Sequence, residues 1–454
     1  MREEAVARVR ERVHELMPQA VEDLRELVAI PSIAFPGYDR APVLEAADAT
    51  ARLLERAGCE VRFLEIPDAP PAVFGEVPGE AGAPTVLLYA HYDVQPEGDT
   101  DAWLSPPFEL TERDGRLYGR GAADNKAGIV MHAVALQALS GGIGVGVKVL
   151  VEGEEETGRS GLEEQVKANP ELYAADVVIV GDMGNWRTGE PTLTTSLRGV
   201  TDCVVEVRTL KAPVHSGTYG GPFPDALMAL IRALDTLLDE RGDVAIEGLR
   251  GTPWRGLEPD EAAMRHEAGA LDGVSLIGTG TLGERLWTKP SVNVIGIDAP
   301  AVAGSRNALV HEARARVSLR VPPTVDPEEA QRLLMRHLER AVPWNAKVRV
   351  IPGATGRGFA ADEGGPAYAQ AREALRQAYG RDAVSLGSGG SIPLVSAFSE
   401  ALPDAEIVLW GPEDGSCAIH APNESVDPRE LERAAVAEAL LLASLARRQA
   451  PGAY

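Results

Sequence analysis

A chain of 454 residues with 44% hydrophobic and 25% charged residues has an ordinary globular balance. Its length exceeds what one hydrophobic core usually serves, so two domains are expected. The formal net charge of −24 argues against nucleic acid as a partner, because a phosphate backbone would be repelled over most of the surface. Three widely spaced cysteines, Cys59, Cys203 and Cys417, indicate neither a disulfide framework nor a thiolate zinc site and fit a reducing cytoplasm. The first 17 residues are charged and helical in pattern without the apolar core of a signal peptide. No apolar run approaches the ~20 residues that span a bilayer, so a cytoplasmic protein with no membrane partner is expected.

Helical periodicity covers residues 3 to 29 and Pro42 to Ala57, the latter closing at Gly58. Short apolar runs then lead straight into polar residues: Thr85–Ala90 into His91, Val145–Val151 into Glu152, and Asp176–Val180 into Gly181 and Asp182. Helical patterns lie between and after them, at Gly128–Ser140 and Ser160–Ala168. Strands alternating with helices imply an α/β domain with a mainly parallel sheet covered by helices. Ligands bind beyond the C-terminal ends of such strands, where most of the acidic and His candidates fall. From about Arg198 the texture changes to alternating strands (Val200–Val207, Ser291–Ile297, Ala313–Arg320, Lys347–Ile351) with helices at Asp225 to about Glu240 and at Pro327–Ala341. Residues 250–286 read as loop. This stretch predicts an inserted α+β domain with a four-stranded antiparallel sheet and two helices. The expected borders are a catalytic domain at 1–197, the insertion at 198–352, and the rest of the catalytic domain at 353–454.

Several residues could carry chemistry. His91 and Asp93 form His-Tyr-Asp at a strand end, a pattern that suits a metal ligand with a carboxylate behind it but also an ordinary polar loop. Asp124, in a glycine-rich segment that opens a helix, reads in isolation as an N-cap. The segment Glu152–Gly158 (EGEEETG) crowds four carboxylates after a buried-looking strand, a costly arrangement unless a cation offsets it. Asp182 follows another strand in the same way. His420 alone reads as structural, Arg320 as a surface strand charge. His14, His132, His266 and His337 read as surface or packing residues, with His311 undecided.

Taken together, HYDVQP, GRGAADNK, EGEEETG, VVIVGD, HSGTYGG, GGSIP and HAPNE resemble, in order and spacing, one family of dinuclear metallopeptidases. It includes carnosine dipeptidases, glutamate carboxypeptidases, aminoacylases and succinyl-diaminopimelate desuccinylase. HSGTYGG and GGSIP resemble the dipeptidase branch most. The resemblance implies that His91, Asp124 and Asp182 hold one divalent ion and Asp124, Glu156 and His420 a second, Zn²⁺ by preference with Mn²⁺ or Co²⁺ also suited. It implies Glu155 as general base for a metal-bridged water, Asp93 orienting His91, and a cis Asp124–Asn125 peptide. The insertion resembles a lid and dimerisation domain. From it His215 would reach the active site of the partner subunit in a homodimer and help stabilise the oxyanion. Arg320 would bind the substrate carboxylate, and Asn307 and Ser391 would contact substrate.

The expected activity is hydrolysis of the C-terminal amide bond of a dipeptide or short peptide, with deacylation of N-acyl amino acids as the alternative on the same scaffold. A metal-free, non-catalytic binding protein is the remote alternative.

Overall fold

The computed structural model describes residues 3–158, 161–390 and 392–446. Two compact units emerge, one from the described residues of Met1–Thr195, Ala361–Leu386 and Pro393–Tyr454, the other from Ser196–Ala360 and Gly387–Ile392. The strand Lys347–Gly356 continues past the expected border at 352, and the short 387–392 segment belongs with the second unit.

In the first unit the strands run in the order Glu60–Leu64, Ala72–Val77, Gly146–Glu152, Thr85–His91, Val177–Val180, Glu406–Leu409 and Thr192–Leu197. The middle four are parallel, and antiparallel pairings flank them on both sides. Thr85–His91 and Val177–Val180 are buried along nearly their whole length, which is why their sequences are continuous apolar runs rather than alternations. The helix Lys126–Ala138 is buried from Lys126 to Leu136. It packs against the strand Thr85–His91 and the helices Glu3–Val28 and Pro428–Leu445, and its apolar residues accordingly occupy every face. An aspartate caps the start of Pro428–Leu445, where Asp427 accepts from the Arg429 amide, and proline takes the first helical position. No helix among the described residues is long and apolar enough to cross a membrane.

Register decides what this sheet can do. His91 pairs with Glu152, Tyr89 with Val180, and Val180 with Leu409. The parallel strands therefore end side by side, and the residues that follow them share one edge. A buried ion pair braces that edge from behind. His132 Nδ1 lies 2.9 Å from both Glu438 carboxylate oxygens, and its Nε2 lies 3.0 Å from the Tyr89 carbonyl. A carboxylate at one ring nitrogen and a carbonyl at the other both favour the doubly protonated imidazolium form. Burial opposes that charge, but Glu438 outweighs it and the His132 pKa is raised. His132 is thus one half of an ionic brace in the core.

The second unit holds the expected four-stranded antiparallel sheet, in the order Ser291–Asp298, Glu312–Val321, Gly199–Arg208 and Lys347–Gly356. Along Glu312–Val321 the buried residues Ala313, Ala315, Val317, Leu319 and Val321 alternate with outward Arg314 and Arg316, the two-residue period of a half-covered sheet. Two helices, Ala226–Asp235 and Pro327–Ala341, pack on it. The first ends at Asp235 rather than near Glu240, because the chain turns into a β-bridge between Leu238 and Val244. Residues 250–286 contain the helix Glu261–Glu267, capped by Asp260, and the start of a π turn, Glu284–Thr288. Their shortness hides them from periodicity.

Removing one partner of a buried pair leaves the other charge uncompensated, typically at about 3–5 kcal/mol. Glu438→Ala is expected to destabilise the protein by that order, measured by urea unfolding near pH 6. Because the folded-state pKa of His132 is raised, the pair contributes fully below the unfolded value of about 6.5 and progressively less as pH rises through the folded value. The wild-type to variant difference should shrink in the same direction.

Candidate metal centre

Local backbone delivers each candidate to the shared edge. His91 closes its strand, Glu155 and Glu156 stand in a short 3-10 turn directly after Gly146–Glu152, and Asp182 comes two residues after Val180. Asp124 precedes the helix Lys126–Ala138, whose N-cap position is Asn125. The Asp124 side chain is thus not a cap, and the Asp124–Asn125 peptide is cis, as expected. His420 arrives from a loop with φ +61°, a left-handed conformation uncommon outside glycine.

Asp124 is shared between two clusters. His91 Nε2 lies 3.0 Å from its Oδ1, and His420 Nε2 lies 3.0 Å from its Oδ2. His91 Nε2 is also 3.4 Å from Asp182 Oδ1, and His420 Nε2 is 3.2 Å from Glu156 Oε2. The groups His91–Asp124–Asp182 and Asp124–Glu156–His420 each offer three ligand atoms within 4.8 Å of one another.

No Lys or Arg among the described residues forms an ion pair with Asp124, Glu156 or Asp182; the two histidines alone do. Burial and the neighbouring acids raise Asp182 and Glu156 despite these histidines, and push Glu155 well above the usual carboxylate range. Burial acts in the same direction on Asp124, yet hydrogen bonds from His420 and His91 hold it below that range. Hydrogen bonds to Asp124 and Glu156 lift His420 to about 10. Burial opposes protonation of His91, but Asp182, Asp124 and Asp93 raise it well above its ordinary value. Imidazole nitrogens and carboxylate oxygens without a thiolate fit two divalent ions of the Zn²⁺, Mn²⁺ or Co²⁺ type. Such ions supply the positive charge these acids lack.

Three further residues fix the geometry through the backbone. His91 Nδ1 is 3.1 Å from the Asp93 carbonyl and 3.4 Å from its carboxylate. That carboxylate also accepts from the amides of Glu155 and Glu156 at 3.2 and 3.1 Å. Asn125 Oδ1 accepts from the His91 amide at 3.3 Å, and its Nδ2 donates to the Gly181 carbonyl at 2.8 Å. Gly128 must be small here, since a Cβ would stand 2.6 Å from both Asn125 Oδ1 and the Gly181 carbonyl. Glu424 accepts from Arg120 and from the amides of Gly121, Ala123 and Asp124 at 2.7–3.0 Å.

The sequence model of peptidase family M20/M25/M40 matches residues 87–444. The chain belongs to this family. It is 42% identical over 405 residues to a cysteinylglycine-S-conjugate dipeptidase of Corynebacterium striatum, covering 88% of this chain and 89% of that one. It is 27% identical over 440 residues to the human Beta-Ala-His dipeptidase, covering 90% and 86% of the two chains. The crystal structure of human carnosine dipeptidase 1 superposes with a TM-score of 0.79 at 25% identity, covering 97% of this chain and 98% of that one. This M20-family chain is a metallopeptidase of the α/β architecture expected from its sequence.

Of the remaining expected residues of this M20-family chain, His215, Asn307 and Arg320 belong to the second unit. His215 and Asn307 are exposed neighbours: the strand Val214–His215 pairs with Ala308–Leu309, and Ser216 donates to the Asn307 carbonyl at 3.0 Å. Both line a cavity of about 1000 Å³. Arg320 lies in the strand Glu312–Val321. Ser391 lies outside the described residues. The roles of Asn125 and Glu424 escape sequence reasoning, although both sit inside the family motifs, because most of their bonds run to backbone groups.

Outer partners of ligands typically govern metal affinity by about 10–100-fold. Glu424→Gln, which weakens the clamp on the Asp124 amide, is expected to reduce Zn²⁺ or Mn²⁺ affinity by that order in competition titrations with a chelator. Unchanged affinity would show that the clamp does not position Asp124.

Proposed function

We propose that this metallopeptidase hydrolyses dipeptides or short peptides at the C-terminal amide bond, with two divalent ions held by His91, Asp124, Asp182, Glu156 and His420. The carrying observation is the sharing of Asp124, one carboxylate oxygen facing each histidine. Divalent ions bound there supply Lewis-acid polarisation of the amide carbonyl and acidify water. Glu155 takes the proton from the attacking water on a carboxylate oxygen and returns it to the leaving amine. Such acid–base assistance is typically worth about 10²–10⁴-fold. Asp93 holds Glu155 and Glu156 in place through their amides. His215 stabilises the developing oxyanion, Arg320 pairs with the substrate carboxylate, and Asn307 and Ser391 contact substrate. The similarity to proteins named as dipeptidases supports a peptide over an N-acyl amino acid.

We further propose a homodimer built through the second unit, with His215 serving the partner's site. Supporting it, Ser291–Asp298 is an edge strand whose Val294, Ile295 and Ile297 are exposed. Unpaired apolar edges of this kind are pairing surfaces.

Glu155→Gln is expected to abolish turnover while metal content, measured by elemental analysis, persists. Activity surviving within about tenfold would reassign the base. His215→Ala should be nearly inactive, and mixing it with Glu155→Gln protein should restore turnover once subunits exchange. Demonstrated heterodimers without recovery would place His215 in its own subunit's chemistry or in none.

A further inference from the structure

We propose that Arg198 acts beside Arg320 as the second guanidinium of one carboxylate-binding subsite; this deepens, and rests on, the peptidase reading above. Arg198 joins the strands Thr192–Leu197 and Gly199–Arg208. Its amide donates to the Ser388 carbonyl at 3.2 Å, and its Nη1 donates to Ser291 Oγ at 3.0 Å. Ser291 is the register partner of Arg320 on the neighbouring strand, and Val200 is its partner on the other side. The sheet therefore brings both guanidinium-bearing side chains to one end, within the short reach of cross-strand neighbours.

What the pair lacks is an acid. No described Asp or Glu forms an ion pair with Arg198 or Arg320, and the Arg198 Nε is buried without a hydrogen-bond partner. On the same sheet Arg316 is paired with Asp202. The chain has 68 acidic residues against 44 basic ones, so acids are in excess and two adjacent cations without one are unexpected in a purely structural role. Burial, then the Arg320 charge, lowers Arg198 to about 10, which leaves it cationic at neutral pH. Gly389 keeps the approach open, since a Cβ there would stand 3.0 Å from Arg198 Nη2. Half-buried, mutually repelling guanidiniums gain most from a planar anion that both can grip. The free carboxylate of a peptide has that shape and charge.

The test compares glycylglycine with glycylglycinamide on metal-loaded protein. Arg198→Met is expected to lower kcat/KM for the acid by about 10–100-fold, as for loss of hydrogen bonds to a charged group, chiefly through KM. The amide should change less than about twofold, so the acid preference collapses, and Arg198→Lys should recover part of it. Gly389→Ala, which crowds the guanidinium without removing it, should cause the same selective loss. Equal losses on acid and amide, or a wild-type enzyme that hydrolyses both without preference, would overturn the proposal. If wild type hydrolyses neither a dipeptide nor an N-acyl amino acid, the peptidase reading fails separately. Calorimetric binding of the two compounds to wild type and Arg198→Met then decides: an acid preference lost in the variant supports the subsite, and its absence in wild type refutes it.

Discussion

Like charge crowded at the ends of parallel strands is the constraint around which the first unit is organised. Asp124, Glu155, Glu156 and Asp182 converge with no Lys or Arg paired to Asp124, Glu156 or Asp182 among the described residues, and Glu413 is buried close enough to be shifted by Asp124 and Asp182. Desolvated carboxylates repel one another and resist ionisation. Two histidines cannot neutralise so many acids, whereas divalent ions of the kind proposed for this cluster would. The charge pattern that would weaken an ordinary core is thus the chemical asset of this one.

Holding such a cluster demands backbone that cannot yield. Asn125 ties the end of one strand to the start of the loop after another, Asp93 gathers two consecutive amides of the glutamate turn, and Glu424 collects three amides around Asp124. Each spends its polar atoms on peptide groups, so the ligands inherit their orientation from hydrogen-bonded main chain. Behind them the His132–Glu438 pair fills the space under Tyr89. A candidate site preset by packing in this way would need little reorganisation when charge develops.

Much of this was legible from the residues. Apolar runs ending in His91, Glu152 and Asp182 announced buried parallel strands with a shared working edge, and alternation in Glu312–Val321 announced a sheet covered on one face. The clustering of His91, Asp124, Glu156, Asp182 and His420 was not visible in spacing, because they are separated by up to several hundred residues; the ordered motifs of a family carried it. Side-chain to main-chain bonds leave no periodic trace, which hid Asn125 and Glu424. Arg198 was hidden for the opposite reason: its proposed role rests on a missing partner, and only the packed structure reveals what is missing. The antiparallel strands flanking the sheet, such as Ala72–Val77, also escaped, since short strands resemble any apolar stretch.

The interrupted path of the chain has a temporal consequence. The first unit is left at Thr195 and completed only after the whole second unit has been traversed. Both His420 and Glu424 therefore leave the ribosome long after His91, Asp124, Glu156 and Asp182. A nascent chain carries most of its acids early, but the histidine that closes the second cluster and the glutamate that clamps Asp124 arrive last. A chain cut short before residue 420 would lack the histidine that joins Asp124 and Glu156 in the second cluster, however much of the rest had been made.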